Sequence, residues 1–282
     1  EPGDPVLLMV HGWCGSADDY RRLLDTMPEG LRCLAVDLPG CGMSAKPDAA
    51  YDPAYFQRFL DRFCDTLGLS NVVLVGHSLG GQIAIHFAAR RPDLVEKLVL
   101  FDPYGLQGED GGWAILARTG CFVDFCFSMN NRTFISWGLS GRILYRPSPD
   151  LVELATESTA RSMLGAESVR ALSRITRNLI GTDPVEPVLP GVRQPVSIIW
   201  GERDQVLPLR WSSVFLALLP QASLDVVKGV GHMPMLEAPA ESARLLVAAG
   251  AGVRPQPAGL LPQPAPEPQP APEPQPAALP ST

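Results

Sequence analysis

Uninterrupted apolar runs alternate with one-sided apolar stripes along most of the chain. Pro5-Val6-Leu7-Leu8-Met9-Val10 has no polar position and predicts a buried strand that ends in His11-Gly12. Similar runs over 31–36, 71–75, 95–101, 196–200 and 222–227 predict five more strands, the second ending in Asp37-Leu38-Pro39-Gly40. Between the runs the period changes. A helix is expected over about 18–27. Over 53–67, Tyr55, Phe56, Phe59, Leu60, Phe63, Cys64 and Leu67 share one helical face. Segments 82–89 and 239–249 predict two further helices. Strands alternating with helices imply an α/β fold, a mostly parallel, doubly wound sheet covered on both faces.

The alternation stops between 107 and 194. Helical pieces are expected there over 113–128, 130–144, 149–160 and 165–180, with large apolar residues Trp113, Phe122, Phe125, Phe127, Phe134, Trp137 and Tyr145. An all-helical insertion between two strands is expected to cap their carboxyl edge, where open α/β sheets bind ligands. The expected division is a core of residues 1–106 and 195–253, a helical cap of 107–194 and a tail of 254–282. Most of the cap aromatics are expected to pack the cap's own core. The tail holds eleven of the 29 prolines and repeats Pro-Gln-Pro-Ala-Pro-Glu at 262–267 and 268–273. It is expected to be a disordered polyproline II segment.

A net charge of −7 argues against a nucleic-acid surface. No apolar run reaches the roughly 18 residues of a membrane helix, so no transmembrane segment is expected. A cytoplasmic location is expected. A secreted or periplasmic one stays open because the chain begins at Glu1. The six cysteines fit no metal-binding spacing and no redox pair. Cys33 and Cys64 read as core residues. Cys14 and Cys41 lie in loops, where free thiols are expected and a disulfide is the alternative. Neither a metal nor a cofactor is expected.

The chemistry is concentrated at strand ends. Gly76-His77-Ser78-Leu79-Gly80 follows a strand and opens a helix, which forces Ser78 into a strained turn and exposes its hydroxyl at the sheet edge. Gly76 and Gly80 make so tight a bend sterically open. A serine nucleophile needs a base, an orienter for the base and an oxyanion site. The base is expected to be His232, in Gly231-His232 after the last strand. The expected orienter is Asp204, after the fifth strand, which gives the chain order Ser, Asp, His. Asp102, ending the fourth strand, and Glu202 are alternatives. The oxyanion donors are expected to be the backbone N–H groups of Leu79 and Trp13, with Gly12 allowing close approach and His11 belonging to the same loop. The Trp13 side chain reads equally as a wall of the acyl pocket and as packing. His77 is expected to be buried in the turn and His86 to be an ordinary helix residue.

Together these residues resemble the α/β-hydrolase fold superfamily in its cap-bearing, serine esterase and lipase-like branch. The matching pieces are His11-Gly12-Trp13, Asp37-Leu38-Pro39-Gly40-Cys41-Gly42-Met43-Ser44, Gly76-His77-Ser78-Leu79-Gly80-Gly81, Gly201-Glu202-Arg203-Asp204 and Gly231-His232. They span residues 5 to about 250. The resemblance implies hydrolysis of a small-molecule carboxylic ester, of short to medium acyl chain, through an acyl-enzyme. Cleavage of a ring-fission diketone, amide hydrolysis and a slow-turnover ligand receptor are the alternatives. Family members usually carry a two-stranded antiparallel hairpin before the strand that ends in His-Gly; only four residues precede Pro5, so that hairpin is expected to be missing or cut off. Dehalogenases and epoxide hydrolases of the branch look similar but use Asp as nucleophile, and Ser78 argues against both. The oligomeric state is unknown from the sequence.

Overall fold

The computed structural model describes residues 5–108, 120–129 and 131–249. The Pro-rich segment from 254, Trp113 and the side chain of Phe122 lie outside that description. Six strands, β1 (Val6–Val10), β2 (Cys33–Val36), β3 (Val72–His77), β4 (Val95–Phe101), β5 (Val196–Gly201) and β6 (Ala222–Val227), form one sheet in the order β2-β1-β3-β4-β5-β6. All five pairings are parallel. β1, β3 and β5 are buried along their whole length, as their unbroken apolar runs require.

The sheet divides the core in two. Leu8 and Val10 pack with Phe56 and Leu60 of α2 (Pro53–Thr66) and Ile83 and Phe87 of α3 (Leu79–Arg90) on one face. Leu7 and Met9 pack on the other face with Leu23 of α1 (Arg21–Leu24) and Leu245 and Leu246 of α10 (Pro239–Ala249). α2 starts where its sequence says it should. Asp52 accepts a hydrogen bond from the Tyr55 N–H at 2.7 Å, and Pro53 occupies the first turn. Phe56, Leu60 and Cys64 of its stripe are buried, whereas Leu67 is exposed.

The helix expected over 18–27 is shorter. A 3-10 turn, Ala17–Tyr20, comes first, and α1 covers only four residues. Ser16 and Asp19 cap that turn reciprocally, and the Thr26 hydroxyl bonds back to the Leu23 carbonyl at 2.8 Å just beyond α1. A short helix that the apolar pattern did not predict, α8 (Ser212–Leu218), lies between β5 and β6.

Between β4 and β5 the described residues form α4 (Gly120–Ser128), α5 (Arg132–Gly138), a π turn (Leu139–Ile143), α6 (Pro149–Met163) and α7 (Ala166–Leu179). Of the five insertion aromatics whose side chains are described, one is buried as expected and Tyr145 is half-buried. Phe127 is buried, but Phe125, Phe134 and Trp137 are 63%, 54% and 70% exposed. They sit on helices of nine and seven residues, each too short to turn every large side chain inward. The Cys14, Cys33, Cys41 and Cys64 thiols are free. Among the described residues no helix is long and apolar enough to cross a membrane.

Candidate active site

Ser78 stands between β3 and α3 with φ 51° and ψ −120°. A non-glycine residue held in such a region costs of the order of 1–3 kcal/mol and persists only where its surroundings fix it. Four backbone bonds do so, one of them from the Gln82 N–H to the Ser78 carbonyl at 3.3 Å. The Ser78 N–H donates to Phe101 O at 3.0 Å, and its carbonyl accepts from the N–H groups of Gly81 at 2.8 Å and Tyr104 at 3.0 Å. The turn closes because Gly80 has no side chain; a Cβ there would collide with the carbonyls of Val10 and His11, and one on Gly76 would lie 2.6 Å from Gly80 O. Leu79 opens α3, so its N–H has no partner within the helix.

The loop after β6 carries His232, which is buried. His232 Nδ1 lies 2.7 Å from Asp204 Oδ2. The other Asp204 oxygen accepts from the N–H groups of Val206 at 2.7 Å and Leu207 at 2.9 Å. Burial alone would push the Asp204 carboxyl toward its neutral form. The neighbouring His232 and the two backbone donors outweigh it and hold the group below the ordinary carboxylate value. Two contacts fix the histidine loop from outside. The His232 N–H donates to Ile143 O at 2.8 Å, and Glu237 accepts from the N–H groups of Tyr145, Gly231 and Met233. Glu237 belongs to a short helix, α9 (Pro234–Glu237). Its bracing role was not read from the sequence, although an acid closing the apolar run after Gly231-His232 is a signal for it.

His77 links the two loops. Its Nε2–H donates to the His232 carbonyl at 2.8 Å, and the two rings lie 4.8 Å apart. Burial, with His232 adding to it, lowers the His77 pKa to about 3. His77 is therefore neutral and structural. His11 is equally pinned, its Nδ1–H donating to Gly12 O at 2.8 Å while Nε2 accepts from the Leu38 N–H at 3.0 Å.

Gly12 brings the first loop against the serine; a Cβ on it would approach Ser78 Cβ to 3.1 Å and His77 Nδ1 to 2.9 Å. Trp13 follows. Its indole N–H donates to Thr176 Oγ1 of α7 at 2.9 Å, and its ring lies 6.0 Å from that of Phe127. The Trp13 side chain thus packs against the insertion. Two buried serines of α6, one turn apart, grip the rest of this loop. The Ser162 hydroxyl donates to Gly15 O at 2.6 Å and accepts from the Gly42 N–H at 2.7 Å. The Ser158 hydroxyl donates to Asp19 Oδ1 at 2.6 Å and lies 2.7 Å from Ser16 Oγ. Burial raises the Asp19 carboxyl to about 6, against the pull of Ser158 and Ser16. These long-range hydroxyl contacts left no signature in the sequence.

The two alternative acids part company. Glu202 turns away, accepting from the Gly229 N–H at 3.1 Å. Asp102 is fully buried and lies beside Asp204 and His232. These three are the one group of metal-type donors found among the described residues, with one donor atom of each within 4.8 Å of the others. His86 sits apart on α3, its Nε2 3.1 Å from Asp183 O.

Ser78 stands strained at a strand–helix turn, and His232 and Asp204 pair in the loops after β6 and β5 of the same parallel sheet. The family model described as alpha/beta hydrolase family matches residues 7–245, and the chain belongs to that family. Lipase 3 of Moraxella sp. is 28% identical over 86% of this chain and 75% of its own length. Lipase 1 of Psychrobacter immobilis is 29% identical over the same shares of the two chains. Among solved structures, a bacterial membrane phospholipase A superimposes with a TM-score of 0.68 at 27% identity, covering 90% of this chain and 80% of that one.

Proposed function

We propose that the protein is a serine hydrolase that cleaves carboxylic esters of short to medium acyl chain. The observation that carries the reading is Ser78 fixed at φ 51° together with a His232–Asp204 pair bonded at 2.7 Å. In this reading Ser78 attacks the ester carbonyl and His232 Nε2 accepts its proton. Asp204 holds Nδ1–H, fixing the tautomer and stabilising the imidazolium. The N–H groups of Leu79 and Trp13 receive the oxyanion. His232 then passes the proton to the leaving alcohol, and water, deprotonated by the same ring, releases the acid.

Among the described residues the Ser78 hydroxyl makes no hydrogen bond. Catalytic bonds of this kind commonly tighten only in the substrate complex. The helices between β4 and β5 act as the cap in this reading, because α6 and α7 bond directly to the Gly12–Asp19 loop. Relatives that carry the name lipase support ester chemistry. A panel of p-nitrophenyl esters of rising chain length tests it. Ser78→Ala should lower turnover by about 10⁴-fold or more, in line with loss of a triad nucleophile, and abolish labelling by a fluorophosphonate. Near-normal turnover in that variant, or no ester cleaved by the parent, overturns the proposal.

A further inference from the structure

We propose that Asp102 is a positioning residue, a neutral carboxylic acid that donates a hydrogen bond to Asp204 and steadies it for His232. The inference rests on the reading of Asp204 and His232 as orienter and base. Asp102 closes β4 with φ 41° and has no exposed surface. Its Oδ1 accepts from the Gly201 N–H at 2.8 Å. Its Oδ2 is buried with no hydrogen-bond partner among the described residues. Yet a carboxyl oxygen of Asp102, one of Asp204 and a ring nitrogen of His232 all fall within 4.8 Å of each other.

An acceptor buried without a donor is costly, and a second carboxylate charge beside Asp204 is costlier still. A proton on Asp102 Oδ2 removes both penalties, since it turns the orphan acceptor into a donor and leaves one charge on the pair. Which acid keeps the charge follows from their partners. Asp204 has two backbone N–H donors and His232, whereas Asp102 has one N–H. The ionisable groups facing Asp102 are Asp204 from the loop after β5, His232 from the loop after β6 and Glu237 from α9. Burial first, and the charge of Asp204 next, push the Asp102 carboxyl well above its ordinary value, which agrees with the geometry.

The alternative is a charged Asp102 acting as a second orienter. The two differ in sign. If Asp102 is neutral, Asp102→Asn preserves an uncharged donor, so kcat should stay within about threefold of the parent and the acid limb of kcat/KM should not move. Asp102→Ala leaves Asp204 without that donor, so kcat should fall about tenfold to a hundredfold, well short of the loss of a triad member. The acid limb should then move to higher pH, because the less solvated Asp204 holds the histidine proton more tightly. If Asp102 is charged, both variants remove a negative charge, and both limbs move to lower pH.

Infrared difference spectra of the parent against Asp102→Asn give a readout that needs no turnover. A protonated carboxylic acid band, present in the parent at pH 8 and missing from the variant, is the expected result. Absence of that band, an Asp102→Asn variant as impaired as Asp102→Ala, or an Asp102→Ala variant with parental kcat overturns the proposal. Thermal melts of both variants check folding, and if Asp102→Ala does not fold, the Asn variant and the spectrum still decide. The underlying site reading fails separately, through Ser78→Ala and the ester panel.

Discussion

His77 shows how one buried ring ties catalysis-ready geometry to acid stability. Its pKa in the folded chain, about 3, lies below the value of 6.5 expected for an exposed histidine. The unfolded chain therefore takes up the proton first as pH falls. Its contribution to stability is complete above pH 6.5 and is lost progressively as pH drops toward 3, by up to about 4–5 kcal/mol. Urea unfolding midpoints measured across that interval should fall, and His77→Asn should fall less steeply than the parent. Equal slopes would contradict this. Asp19 works with the opposite sign. With a folded value of about 6 against an ordinary 3.8, its stabilisation is complete below pH 3.8 and is lost as pH rises through 6. That loss amounts to about 3 kcal/mol and lies inside the interval of the His77 gain, so it offsets part of that gain, and Asp19→Asn should gain stability with rising pH more steeply than the parent. Equal slopes for the parent and Asp19→Asn between about pH 4 and 6 would show that Asp19 ionises without cost.

At the level of elements, the joints matter more than the segments. The two serines of α6 are buried and bond the loop that precedes α1, so each should matter beyond its size. Ser162→Ala leaves Gly15 O and the Gly42 N–H short of a partner and should cost about 1–3 kcal/mol. In an esterase of the proposed kind, its kcat should fall while KM changes little, because the loop that bears the Trp13 N–H loosens. An unchanged thermal midpoint would show that water replaces the hydroxyl.

What could be read in advance divides along the same line. Strands β1, β3 and β5 were legible because a fully buried strand is apolar along nearly all its length, with only His77 and Ser197 as polar positions among the three. Ser78, Asp204 and His232 were picked out because each lies at or within five residues of a strand end, and the structure brings the last two to 2.7 Å of each other. The helix holding α1 was expected but drawn too long, and the seven-residue α8 was not expected, since so short a helix shows less than two turns of period. Ser158, Ser162 and Thr176 read as ordinary helix residues, and only contact across 139 to 163 positions reveals their partners. Asp102 was read as an alternative orienter for the histidine, whereas the protonation proposed for it depends on how many donors each acid finds in space.

For the whole molecule, the helices between β4 and β5 present two unlike surfaces. Toward the sheet they are polar at chosen points, with hydroxyls at Ser158, Ser162 and Thr176. Away from it they expose Phe125, Phe134 and Trp137. Trp137→Ala should change the free energy of unfolding by no more than about 0.5 kcal/mol, as a solvated side chain far from the polar seam. A loss above 2 kcal/mol in denaturant titration would place that ring in contact with something it does not touch here. The Ile143 carbonyl carries a different implication, because it receives the His232 N–H from the same stretch of chain that grips the opposite loop. A chimera that trades this stretch for that of another hydrolase in order to change selectivity would also remove supports from beneath the machinery. Successful transplants should be those that bring their own carbonyl and hydroxyls to these positions, and swaps guided by pocket shape alone should produce well-folded but sluggish proteins.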